Sequence, residues 1–173
     1  INNNCWYHFT TADGGMDSAY TLFSDGRYTL STKRVEAYST TIGVGYGATG
    51  WAEVWKTVQC TQSGYFDTYM QGNYWVVMSA AGAATANIEF QLRIRDLSTG
   101  AIQASTMIYS RSVSYLDATN IQSDFYKYLL WYGTSGHQYG LELYAKAWST
   151  GVVGSAIVDA AGDGSYFAGS QGA

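Results

Sequence analysis

Hydrophobic and polar residues alternate one by one along most of this chain, the period of a β-strand with one buried face. The clearest run is 87–96. Ile88, Phe90, Leu92 and Ile94 fall on one side, and Glu89, Gln91, Arg93 and Arg95 on the other. Such a segment is an antiparallel strand with one wet face. Asp96-Leu97-Ser98-Thr99-Gly100 then reads as a hairpin loop into a return strand over 101–114. The same rule predicts strands over 5–10, 19–24, 27–32, 35–46, 51–60, 65–70, 74–79, 139–149 and 152–160.

Turn residues separate these runs. Asp25-Gly26 suits a two-residue type I′ hairpin, with Phe23 facing Tyr28 across it. Gly47 to Gly50, Gln71-Gly72-Asn73 and Ser149-Thr150-Gly151 read as further turns. One segment admits two readings. Ser123-Asp124 can cap a short helix over 125–131, or this is an aromatic strand. About ten strands at short spacing indicate a sandwich or barrel. No fixed-period repeat or linker interrupts them. The expectation is one domain over 1–173, an all-β antiparallel two-sheet sandwich of the jelly-roll kind.

Composition sharpens this picture. A chain of 173 residues buries enough surface to fold without a metal or cofactor, and neither is expected. Charged residues are 13% of the chain, about half the usual share. Tyr, Trp and Gly are abundant and Pro is absent. The net charge is −4 and the longest basic run is Lys33-Arg34, so a phosphate-binding stripe is missing and nucleic acid is excluded as a partner. No apolar run is long enough for a membrane-spanning helix. The first residue is Ile1 rather than Met, which reads as a mature product after signal-peptide removal. The even pair Cys5 and Cys60 favours a disulfide, worth about 4 kcal/mol by chain entropy. A disulfide places the protein outside the cell or on its surface.

Candidate chemistry concentrates on two strands. Trp51, Glu53 and Trp55 share a face opposite Ala52, Val54 and Val58. Glu142, Tyr144, Lys146 and Trp148 share a face opposite Leu141, Leu143, Ala145 and Ala147. Rings flanking a carboxylate can stack on sugar, so Trp51, Glu53, Trp55, Glu142, Tyr144 and Trp148 form a candidate interface or sugar-stacking face. Two carboxylates on one face can also hydrolyse glycosides, at about 5–5.5 Å for retention. In size and Tyr/Trp/Gly richness the chain is similar to secreted jelly-roll xylanases. That likeness implies Glu53 and Glu142 as the pair, but the catalytic-strand motifs of those enzymes do not match here, and no catalytic residue is assigned.

Asp13 with Asp17, and Asp159 with Asp163, place paired carboxylates in Gly-rich segments. They are calcium candidates, although Asp and Gly are also default turn residues, and no metal site is expected. His8 and His137 lack metal-ligand spacing. No nucleophile elbow, phosphate loop or dinucleotide fingerprint occurs.

In layout the chain resembles donor-strand fibre subunits of archaeal bundling pili and bacterial biofilm-matrix fibres. The likeness rests on overall size, the short apolar segment Cys5-Trp6-Tyr7-His8-Phe9, and the small-residue segments Ser155-Ala156-Ile157-Val158 and Ser165-Tyr166-Phe167-Ala168. It implies a secreted domain whose terminal strand completes a neighbour's sheet, with copies of itself as partners. Nearly uncharged terminal strands and the absence of Pro agree with edges meant to be filled. The leading expectation is a subunit of an extracellular filament or surface assembly. The alternative is a secreted lectin-like module that binds extracellular polysaccharide, and a glycosidase is the third reading.

Overall fold

The computed structural model describes residues 5–9, 13–19, 23–29, 34–42, 47–151, 153–162 and 168–171. Every element among them is a β-strand: β1 (Cys5–Phe9), β2 (Asp13–Ala19), β3 (Phe23–Thr29), β4 (Arg34–Ile42), β5 (Gly47–Cys60), β6 (Gly64–Ala81), β7 (Thr85–Asp96), β8 (Ile102–Ser114), β9 (Ala118–Gly133), β10 (Gln138–Thr150), β11 (Val153–Gly162) and β12 (Ala168–Gln171). They form two six-stranded antiparallel sheets. In the first, β1 and β2 share one edge of β5, followed by β10, β7 and β8. In the second, β9 pairs with one edge of β6, β11 and β12 share the other, and β4 and β3 follow. The expected jelly-roll-like sandwich is present.

The alternation on β7 sets the core. Ile88, Phe90, Leu92 and Ile94 are fully buried, and their odd-numbered neighbours lie half-buried on the outer face. Phe90 meets Phe125 of the opposite sheet edge-on, with ring centres 5.3 Å apart. Trp131 stacks on Phe66 at 5.1 Å and packs on Tyr139 at 4.7 Å. Its indole N–H donates to Thr68 at 2.8 Å, so the ring is buried without an unmet donor. Of the expected turn Ser149-Thr150-Gly151, only Gly151 lies outside the strands, since Ser149 and Thr150 belong to β10. Gly151 has φ +92°, and a Cβ there would lie 2.6 Å from the Ala83 carbonyl oxygen, so glycine is required by both conformation and space.

Several local expectations give way to long-range pairing. Gln71-Gly72-Asn73 is not a turn: β6 runs through it, because β9 pairs with residues 64–79 without a break. Asp25-Gly26 lies inside β3, opposite Tyr38 and Ala37. Phe23 therefore faces Thr40 and Tyr28 faces Val35, and the Phe23–Tyr28 pair does not form. Gly47 to Gly50 belong to β5. In each case a continuous ladder outweighs a weak local preference. The segment 125–131 is strand, not helix.

The calcium candidate at Asp13 and Asp17 is corrected by the same pairing. Asp13 and Asp17 lie on β2 opposite Glu53 and Thr49. Four residues of strand separate their Cα atoms by about 13 Å, beyond one cation's ligand shell. Asp159 is inside β11, opposite Glu36 and Trp75, and Asp163 lies outside the described residues. Among the described residues no group of three or more ligating side chains could hold a metal.

The β1–β5 register places Cys5 directly opposite Cys60. The Cys60 N–H donates to the His137 carbonyl at 3.1 Å and its carbonyl accepts from the Gly136 N–H at 2.8 Å. Its backbone bonds thus point away from β1, which makes Cys5–Cys60 a non-hydrogen-bonded pair. Such pairs have Cα atoms about 4.5 Å apart, within the disulfide range. The Cys5 side chain lies outside those described. Both terminal strands, β1 and β12, pair within their own chain, so donating either to a neighbour would strip a ladder from its own sheet.

Candidate functional site

The structure brings the sequence-derived face together on the outside of the first sheet. Glu142 of β10 sits between Trp55 of β5 and Arg93 of β7, and Tyr144 between Glu53 and Gln91. Trp148 lies between Thr49 and Asn87, and Lys146 between Trp51 and Glu89. The two arginines decide what this face does. Arg93 reaches Glu53 Oε2 at 2.8 Å and Glu142 Oε2 at 3.1 Å. Arg95 donates through Nε to Glu142 Oε1 at 2.6 Å and lies 3.6 Å from Glu53 Oε2. Burial opposes the charge of Arg95, but its hydrogen bond to Glu142 and the two carboxylate charges outweigh that and hold its pKa above the ordinary value.

The rings on this face are engaged as well. Arg93 lies over Tyr144 at 3.8 Å and Lys146 over Trp148 at 4.9 Å. Trp55 covers Gly140, where a Cβ would come within 3.4 Å of its ring. This is a closed layer of ion pairs and aromatic rings. The Glu142 side chain is 1% exposed and both its oxygens accept from guanidinium groups. An acid that protonates a leaving oxygen must carry an accessible proton, so this geometry does not support the Glu53–Glu142 glycosidase reading.

The open aromatic face is on the other sheet. On β6 and β9 inward and outward residues alternate, and the outward rows carry Tyr65, Tyr69 and Trp75 on β6 and Tyr126, Tyr128 and Tyr132 on β9. Tyr126 is 61% exposed, and Tyr65, Tyr128, Tyr132 and Trp75 are also open to solvent. Tyr65 meets Tyr132 edge-on at 5.2 Å, and Tyr69 lies 5.7 Å from Tyr126. The Tyr128 hydroxyl donates to Asp67 at 2.8 Å. That bond holds the phenol proton, and the Tyr128 pKa is raised.

A hollow of about 540 Å³ opens in this face, lined by Gln71, Gly72, Asn73, Asp124, Phe125 and Tyr126. Gly72 stands opposite Phe125 in the ladder. Gly72 has no side chain and Phe125 turns into the core, so the floor of the hollow is bare backbone. Its walls are the amides of Gln71 and Asn73, the Asp124 carboxylate and the Tyr126 ring. Beyond it, Trp75 is fixed by its indole N–H, which donates to Asn120 at 2.9 Å.

No family model matches this chain. No curated protein matches it either. Solved structures overlay on it loosely. The family 11 carbohydrate-binding module of Clostridium thermocellum, in complex with a β-1,3-1,4-mixed-linked tetrasaccharide, is 9% identical with a TM-score of 0.34, over 96% of this chain and 92% of that one. The CBM22-1–GH10 modules of the C. thermocellum endo-1,4-β-D-xylanase 10B, complexed with xylohexaose, are 10% identical with a TM-score of 0.32, over 91% of this chain. The tailspike protein 4 enzymatically active domain of bacteriophage CBA120 is 16% identical with a TM-score of 0.33, over 92%. This chain spans 25% of the xylanase chain and 19% of the tailspike chain. At these TM-scores the likenesses carry no argument about function.

The residues of this open face were hidden in the sequence because 125–132 is apolar or aromatic at every position but Lys127. A strand with aromatic residues on both faces has no hydrophobic period. A finer signal was present. Tyr126, Tyr128 and Tyr132 carry hydroxyls and point outward, whereas Phe125, Leu129 and Trp131 point inward.

Proposed function

We propose that this chain is a non-catalytic, extracellular carbohydrate-binding module that takes an extended, uncharged polysaccharide on the outer face of β6 and β9. The observation that supports it is the polar hollow set among exposed tyrosines. A pyranose ring has an apolar C–H face and a rim of hydroxyls. The first suits the electron-rich faces of Tyr126, Tyr69 and Trp75. The second suits the side-chain amides of Gln71 and Asn73 and the carboxylate of Asp124. A volume of this size is in the range of small-ligand sites. The outward rows of β6 and β9 carry Asp67 and Asp124 and no Lys or Arg. Such a face repels uronates and sulfated glycans.

Affinity electrophoresis through gels containing xylan, mixed-linkage β-glucan, galactomannan or polygalacturonate tests this. Retardation is expected in one or more neutral gels and not in polygalacturonate. Tyr126→Ala is expected to weaken the retarding interaction by about tenfold or more. Mobility unaltered in every gel, or retardation indifferent to both Tyr126→Ala and Asp124→Ala, would remove the reading.

The extracellular placement includes a Cys5–Cys60 disulfide, which the opposed register of the two residues supports. Intact mass after alkylation is expected to show no accessible thiol until the protein is reduced. Two alkylated cysteines in native protein would exclude the bridge.

A further inference from the structure

We infer that β9 is a self-association edge, and that a second copy of this chain pairs its own β9 antiparallel to it, extending the β6–β9 face across the twofold. This is independent of the polysaccharide reading, since it concerns the backbone edge of β9 and not the hollow beside it. Ala80 N–H donates to the Asp117 carbonyl at 3.0 Å, just beyond the Ser79–Ala118 pair. Backbone direction alternates along a strand, so the odd-numbered residues of β9 bond to β6 and the even-numbered ones, Ala118 to Tyr132, aim N–H and C=O away from it. Among the described residues β9 pairs with β6 alone. On its far edge, Ala118 N–H is met by the Asp117 carboxylate and the Asp124 carbonyl by the Ser123 hydroxyl.

Exposed edges are normally blunted by bulges, proline or charge. The β8 edge of the first sheet is blunted: β8 is offset from β7 at Phe90/Gln91 and again at Ile94/Arg95. Strand β9 has no such shift over its 16 residues, no proline, and no charge on its outward row except Asp124. A long, unbulged, aromatic edge of this kind invites strand addition, and a twofold contact closes it because both copies spend the same edge. The fully overlapped register is self-compatible. It sets Asp124 against the partner's Tyr126, Gln122 against the partner's Tyr128 and Lys127 against the partner's Ser123, with no like charges directly opposed. Outward residues face outward residues, so the two aromatic faces become continuous.

Sedimentation velocity over a range of protein concentrations, with amide hydrogen exchange on the same samples, tests this. The native chain is expected to shift from monomer to dimer as concentration rises, with slower exchange at the outward amides of Tyr126, Tyr128 and Leu130. Leu130→Pro removes an N–H that β6 does not use, and is expected to weaken dimerisation about tenfold or more while sparing retention in the polysaccharide gels. Leu130→Lys keeps the N–H and adds a charge; it is expected to weaken the dimer too, and decides the matter if the proline variant does not fold. A chain that stays monomeric at high concentration overturns the proposal. So do a dimer unaffected by Leu130→Lys and open-ended polymers without protection at those three amides.

Discussion

Glu142→Ala is expected to destabilise the domain by about 3 kcal/mol, the low end of what breaking a buried ion pair costs. The removed carboxylate is 1% exposed and grips Arg93 and Arg95 with both oxygens. Without it Glu53 alone faces two guanidiniums, of which that of Arg93 lies over the Tyr144 ring. The arginines are partly open to water, which holds the cost to the lower figure. Glu142→Gln keeps the volume and one acceptor, and is expected to cost less. Urea unfolding of both variants gives the comparison through the transition midpoint. A change below about 1 kcal/mol for the alanine variant would place this network with ordinary surface pairs.

Asp96→Ala is expected to cost about 2–3 kcal/mol, because one buried carboxylate organises the loop between β7 and β8. It is 3% exposed. Its Oδ1 accepts from the N–H groups of Ser98 at 2.8 Å and Thr99 at 3.3 Å, and its Oδ2 from the His137 ring at 2.8 Å. Burial works against the charged form, but the bonds from His137, Ser98 and Thr99 prevail and lower the Asp96 pKa. The folded state therefore holds the proton less tightly than the unfolded chain does. The resulting stability is fully present above the ordinary aspartate value of about 3.9 and disappears as pH falls through the lower folded value. Thermal melts of native protein and Asp96→Asn across acid pH are expected to converge at low pH and separate above it. Curves that stay parallel throughout would show that Asp96 acts only through packing.

How far the chain could be read varies by element. The strand at β7 was legible to within two residues at its start, since apolar and polar positions alternate without exception from Ile88 to Arg95 and the core takes only one side. The partial face of Trp51, Glu53 and Trp55 was legible for the same reason, and so was its shared side with Glu142, Tyr144 and Trp148. What fills it was not. Arg93 and Arg95 lie about fifty residues from Glu142 in the chain, and only the pairing of β7 with β10 puts guanidinium against carboxylate. A face that reads as exposed chemistry is thereby an internally satisfied layer.

By itself the sequence determined the strand period, the all-β class, the layered core and the want of charge and proline, because these follow from side-chain alternation and composition, which are local. The tertiary structure alone decided where strands continue through glycines, which carboxylates are neutralised, and which aromatic rows stay open. A two-residue turn preference is worth little against a ladder sixteen residues long, as Gln71-Gly72-Asn73 within β6 demonstrates. The outward tyrosines of β9 belong to the second kind as well. Apart from Lys127 the residues around them are apolar or aromatic, so only the packing of Phe125, Leu129 and Trp131 into the core fixes which row is left facing water.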